Sequence, residues 1–176
     1  MTNQKQLDLL SSGKTAWNRW RRASPDVQAL EPDLHVADLH GVDLHGIDLH
    51  GADLTEANLQ EADLRDADLR DADLRNANLS GANLSDATLL KARLHGANVR
   101  GATLCRANLK GADLSNADLR GADLRGADLK RAILDHAIFD EANVSRGDLS
   151  ETDLSKHLEA KERRPAGAVV QGNDAA

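Results

Sequence analysis

Four histidines recur at one position of a five-residue pattern and are the residues most suggestive of chemistry in this chain. They are His35, His40, His45 and His50, the last three within the stretch HGVDLHGIDLHGADL. Histidine-rich tracts are typical of metal binding, in which several imidazole nitrogens must lie within about 2.1 Å of one ion. Whether these rings can converge depends on the backbone that carries them.

Other residues that could support chemistry form no catalytic pattern. No Ser–His–Asp, CxxC or phosphate-loop arrangement stands out from the repeat. The abundant aspartates recur one residue before a leucine, where their side chains can hydrogen-bond the local backbone. The single cysteine, Cys105, has no partner for an internal disulfide and is expected to be an exposed thiol. We therefore predict no enzyme activity, no cofactor and no metal site.

A leucine at every fifth residue excludes ordinary secondary structure. Five residues advance a side chain by about 140° further than one full turn on an α-helix, and strand alternation would send successive leucines to opposite faces. The period holds for 25 positions from Leu34 to Leu154, of which 22 are leucine and none is polar. It predicts an extended chain that turns every five residues, with leucine and the alanine two residues earlier inside. The candidate core residues are Leu34, Leu54, Leu74, Leu84, Leu104, Leu124 and Phe139.

Tandem A(D/N)LXX units resemble the pentapeptide-repeat family over residues 32–156, in one register without insertion. The resemblance implies an all-β solenoid: a right-handed, four-sided parallel β-helix of about six coils, with four units in each coil. Consecutive histidines would then leave the rod on four different sides, which disfavours a shared metal ion. Glycine stands two residues after the centre in nine units. We expect a different turn where Glu56, Asp66 or Lys91 replaces it.

The segments on either side of the repeats are predicted to be separate regions. Residues 1–31 have apolar residues at helical spacing and a WNxWR segment that resembles the leader of some family members. We expect short helices here, with Leu10, Trp17 and Trp20 covering the open end of the β-helix. Residues 157–176 are expected to form a short helix and a disordered tail. Since the sequence has no apolar signal core and no membrane-spanning stretch, a cytoplasmic location is predicted.

The charge of the repeats is unevenly distributed. Residues 34–75 contain 11 acidic and three basic residues, whereas residues 76–155 contain 11 acidic and 10 basic residues. In four-sided coils, aspartates 20 residues apart stack on one another. Those of the first coils form a candidate acidic surface for a partner: Asp43, Asp48, Asp53, Asp63, Asp68 and Asp73. Net acidity and scarce aromatic residues argue against direct nucleic-acid binding.

Two functions fit these patterns. The first is a non-catalytic interaction module, a rigid rod whose flat faces meet an unknown protein partner. The alternative is a regulator of DNA gyrase that imitates duplex DNA. It rests on the resemblance, because some family members regulate DNA gyrase. Imitation of duplex DNA would need an acidic surface along many coils.

The pattern breaks at the C-terminal end, where Ile133 and Ile138 replace the usual polar residue before the centre. Three explanations are open. Residues 156–164 cover the two isoleucines, the isoleucines form a weak homodimer contact, or they are exposed residues that result from random change in the repeat.

Overall fold

The computed structural model describes residues 4–23, 31–145 and 170–171. Two helices, α1 (Gln4–Ser11) and α2 (Lys14–Ala23), precede the repeats. Two short strands are also present: β1 (Val144–Ser145) lies within the repeats, and β2 (Val170–Gln171) lies beyond them. Neither of the two described helices has the length and apolar character needed to cross a bilayer.

The repeats wind into coils of 20 residues. Nineteen isolated bridges within residues 33–143 are all parallel, and each joins residues 20 positions apart, such as Asp33 and Asp53. Backbone bonds run between adjacent coils beside these bridges. The Leu34 amide, for example, donates to the Asp53 carbonyl at 2.8 Å. Four five-residue units therefore form one coil.

Leucine and alanine fill the interior. The candidate core leucines are all 0% exposed: Leu34, Leu54, Leu74, Leu84, Leu104 and Leu124. The alanines between them, such as Ala52 and Ala82, are buried as well. Phe139 differs from the leucines, since it is only half-buried and packs against the edge of the core. It lies in the last coil that the structure describes, and among the described residues only the preceding coil stacks on it.

Every corner of the described coils uses the same turn, whichever residue stands there. The second residue of the turn has a positive φ at every fifth residue from 36 to 141, including Glu56 at 58°, Asp66 at 55° and Lys91 at 58°. The prediction of a different turn at these three positions is therefore wrong. Bonds between coils, such as that from the Lys91 amide to the Lys110 carbonyl at 2.9 Å, hold this backbone. They outweigh a cost of about 1–2 kcal/mol for each non-glycine residue.

Helices α1 and α2 close the N-terminal end of the rod. Leu10 and Trp17 are buried and Trp20 is half-buried, and the two indole rings lie 5.0 Å apart. The indole N–H of Trp17 donates to the Asp48 carbonyl at 2.6 Å, and the Asn18 side chain accepts a bond from the Asp48 amide at 2.9 Å. These bonds satisfy backbone groups of the first coil, which has no preceding coil to pair with.

The C-terminal tail contributes a strand to the other end. Val144 pairs with Val170 and Ser145 with Gln171, both in parallel. Val170 and Gln171 lie within the tail that was expected to be disordered, and here they pair with the edge of the last described coil. The short helix expected after residue 156 falls outside the described residues.

Candidate interaction surfaces

The four histidines stand on four sides of the first coil. Each ring places its Nδ1 atom 2.8–3.0 Å from the carbonyl oxygen 20 residues later. Because a carbonyl oxygen only accepts, Nδ1 carries the proton in these bonds. The rings therefore bind the next coil rather than one another. Within the part of the chain that the structure describes, no three His, Cys, Asp or Glu side chains form a group that could hold a metal ion.

The six aspartates of the candidate acidic surface form three stacked pairs. Parallel bridges join Asp43 to Asp63, Asp48 to Asp68, and Asp53 to Asp73. The later aspartate of each pair also forms an ion pair with the arginine two residues on: Arg65, Arg70 and Arg75, at 2.5, 2.5 and 2.7 Å. Arg21 also lies 3.6 Å from Asp48, so four of these six aspartates are paired with an arginine.

The arginine contacts lower the pKa of the carboxyl groups that they hold. A hydrogen bond from Arg65 places the pKa of Asp63 below its usual value. Burial acts to raise the pKa of Asp68, but the hydrogen bonds from Arg70 outweigh burial, and this pKa is lowered too. Both aspartates are therefore ionised at neutral pH, each beside its arginine.

The aspartates one residue before each centre also support the turns. Asp43 Oδ1 accepts a hydrogen bond from the His45 amide at 3.0 Å. On one side of the rod, amides replace the carboxylates, and Asn58, Asn78 and Asn98 form a ladder. Each Nδ2 in this ladder donates to the side chain one coil earlier, at 2.9–3.2 Å. Much of the polar surface at this position is thus engaged within the rod.

Sequence reasoning missed a ring of acidic residues around the second coil. It consists of Glu56, Glu61, Asp66 and Asp71, which we call the acidic ring; all four are exposed at corners of the rod. Within residues 31–145 none of them forms an ion pair with lysine or arginine; Asp66 and Asp71 lie 3.6 and 3.9 Å from Nδ1 of His45 and His50. The signal was present, since an acidic residue stands two after the centre in four consecutive units.

Cys105 is half-buried, so the expectation of an exposed thiol is wrong. Burial, with a further contribution from Asp123, raises the pKa of this thiol. The reactive thiolate is correspondingly less populated at neutral pH.

Two apolar side chains are exposed near the C-terminal end. Ile133 is 45% exposed and Ile138 is 38% exposed. They stack on Asp113 and Asp118 of the preceding coil. Residues 156–164, which could cover them, lie outside the described residues.

The structure is similar to solved pentapeptide-repeat proteins. Rfr23 from the cyanobacterium Cyanothece 51142 is 25% identical, with a TM-score of 0.55, and the match covers 65% of this chain and 89% of that one. Alr5209 from Nostoc Pcc 7120 is 38% identical, with a TM-score of 0.42, over 62% and 79% of the two chains. A trypsin-treated form of QnrB1, a plasmid-mediated fluoroquinolone resistance protein, is 19% identical, with a TM-score of 0.36, over 75% and 86%. No curated protein sequence matches the chain.

The repeats also match a family model over most of the chain. The model described as pentapeptide repeats matches in eight copies, over residues 33–71, 67–104, 91–126 and 117–155. This family and the similarity to Rfr23 imply a right-handed, four-sided β-helix, which agrees with the 20-residue spacing of the bridges. The chain therefore belongs to the pentapeptide-repeat family.

Proposed function

We propose that this protein is a non-catalytic protein-interaction module, a rigid rod of about six right-handed coils. The observation that carries the proposal is the filled interior, in which side chains such as Ala82 and Leu84 have no exposed surface. The units of this chain therefore differ mainly in their outward-facing residues, and equivalent residues of adjacent coils lie about 4.8 Å apart. A surface of this kind recognises a partner by its pattern of charge and shape.

The acidic ring is the surface that we propose for partner contact, together with the aspartates of the first coils. Glu56, Glu61 and Asp66 are exposed on three corners of the second coil. By contrast, the carboxylates of Asp63 and Asp68 are already held by arginine. A partner with a basic surface would gain more from the ring than from these paired aspartates, because within residues 31–145 no ion pair with lysine or arginine has to be broken.

Affinity purification from the native host, with bound proteins identified by mass spectrometry, tests this surface. The triple variant Glu56→Gln/Glu61→Gln/Asp66→Asn removes three charges of the acidic ring and leaves Asp71 in place. We expect this variant to recover the partner at least about tenfold less than the parent does, because the attraction between the charges is lost.

A matched control removes three exposed acidic residues near the other end of the rod, as Asp135→Asn/Asp140→Asn/Glu141→Gln. This control changes the net charge equally and should retain the partner. Equal recovery by the parent and both variants would contradict the acidic ring as the contact surface. Loss of the partner in both variants would indicate an effect of net charge alone.

A second candidate function is regulation of DNA gyrase by imitation of DNA. Stacked aspartates such as Asp43 and Asp63 favour it, because they repeat one coil apart. The columns soon change, however, since Asp63 is followed by Asn83 and Asp68 by Thr88. A supercoiling assay tests this function: changing all six aspartates of the candidate acidic surface to asparagine should abolish any effect on gyrase without lowering the melting temperature by much. If the parent protein has no effect on gyrase, regulation of gyrase is excluded.

Three further expectations stay predictions. They are a weak homodimer contact at Ile133 and Ile138, a cytoplasmic location, and the lack of direct nucleic-acid binding. The last rests on the net charge of −7, which opposes attraction to phosphates.

A further inference from the structure

A groove on one side of the third to fifth coils is lined mainly by basic residues. Its volume is about 360 Å³, and its lining residues are Leu90, Lys91, Lys110, Gly111, Lys130 and Arg131; we call it the basic groove. They include all three lysines of residues 34–155, in a chain whose net charge is −7. Positive charge is therefore concentrated here on a rod that is acidic as a whole.

The lysines of the basic groove differ in their partners from the arginines on other parts of the rod. All eight arginines of the repeats that precede Arg131 form an ion pair with an aspartate. Among the lysines, Lys110 lies 3.0 Å from Asp128, whereas Lys91 and Lys130 form no ion pair in the described part of the chain. Arg131 has an interaction of its own, so the surplus positive charge is that of Lys91 and Lys130.

Gly111 opens the groove between the basic side chains. It occupies the corner between Lys91 and Arg131, about 4.8 Å from each along the rod. The stem of Lys91 lies beside this corner, since a Cβ atom on Gly111 would lie 3.7 Å from its Cγ. The floor of the groove at Gly111 has no side chain, and charged side chains border it.

Leu90 adds an apolar contact to the groove. Of the residues directly after each centre, at positions 35 to 140, it is the only aliphatic one. It is half-buried, and the part that remains exposed can contact an apolar group of a ligand. No aromatic side chain lines the groove, so it offers no surface on which a nucleic-acid base could stack.

We propose that the basic groove binds an extended acidic segment of a protein partner, with an apolar side chain against Leu90 and carboxylates near Lys91 and Lys130. A single anion among exposed lysines is held weakly, whereas several carboxylates on one chain act together. Lys130 lies about two coils beyond Lys91, a distance that about three residues of an extended segment span. This site goes beyond the acidic ring, since it lies on later coils and selects a partner of the opposite charge.

Fluorescence anisotropy with labelled, capped peptides tests the site on the full chain in about 0.1 M NaCl, where a screening length of about 10 Å limits the influence of distant charges. The first peptide is Glu-Glu-Leu-Glu-Glu, and the second, Glu-Glu-Ser-Glu-Glu, has the same charge without the apolar residue. We expect saturable binding of the first peptide with a Kd below about 1 mM, and binding of the second at least about threefold weaker. Lys91→Gln/Lys130→Gln should weaken binding of the first peptide at least about fivefold. Leu90→Ser should abolish the difference between the two peptides, and serine already occupies the same position at Ser85 and Ser115.

The control is Lys14→Gln/Arg19→Gln, which removes two exposed positive charges from α2 and changes the net charge equally. It should bind the first peptide as the parent does. Melting temperatures verify that each variant is folded, and Lys130→Gln alone replaces the double groove variant if the latter is not. A parent that does not bind the first peptide up to about 1 mM would overturn the proposal. So would equal weakening by the groove and control variants, equal affinity of the parent for the two peptides, or tighter binding of a thymidine pentanucleotide, which has the same charge as the peptides.

Discussion

The register of the coils can be tested by aspartate substitutions at two adjacent residues. Leu84 is 0% exposed, whereas Ser85 lies on the outside, where its hydroxyl donates to Oδ1 of Asn83 at 2.7 Å. Leu84→Asp removes a buried side chain worth about 2–3 kcal/mol and places a carboxyl group among leucines and alanines, which costs at least about 2 kcal/mol more. Ser85→Asp loses one hydrogen bond, worth about 1 kcal/mol.

Thermal melting measures the difference between the two variants. A loss of about 5 kcal/mol should lower the melting temperature by about 10–20 °C for a chain of this size, against about 2–4 °C for Ser85→Asp. The position of Ser85 already accepts aspartate elsewhere, at Asp135 and Asp140. Since each coil contacts only its neighbours, hydrogen exchange should show the largest loss of protection in the coils around residue 84. Equal melting temperatures for the two variants would refute the assigned register.

Backbone strain, carboxylate charge and the exposed isoleucines allow further tests. Val36→Gly should raise the free energy of unfolding in urea by about 0.5–1 kcal/mol, because it relieves a valine at a φ of 58°; Val42→Gly, without a positive φ, should lower it. The lowered pKa values of Asp63 and Asp68 stabilise the fold above the usual value of 3.8, so the melting temperature should fall below about pH 4 as these carboxylates are protonated. A flat profile down to about pH 2 would contradict this. Light scattering at high salt should show weaker association for Ile133→Asp/Ile138→Asp than for the parent. An unchanged mass and an unchanged melting temperature would mean that both isoleucines are simply exposed.

The inward-facing residues could be assigned from the period because the pattern is local. Each unit repeats the same small residue and the same leucine, so the buried side of the chain follows without knowledge of its neighbours in space. The family, predicted from the A(D/N)LXX units, is confirmed. Phe139 occupies a leucine position but is half-buried, because its burial depends on the coil that stacks on it rather than on the period.

The turns show where local preference was overridden. Glycine at nine corners suggested that Glu56 and Lys91 would need another conformation. Both adopt the same positive φ, since each amide is fixed by a hydrogen bond to the next coil. Residue type alone did not contain this information, because the bonds join residues 19 positions apart.

The sequence by itself determined which side chains point inward and that the chain winds as a repeat of five. Only the tertiary structure decided which charges meet, as when Asp73 contacts Arg93 at 3.1 Å and Trp17 bonds the carbonyl of Asp48. The physical reason is the closure of the coil: residues five apart lie on different sides of the rod, whereas residues 20 apart stack in one column.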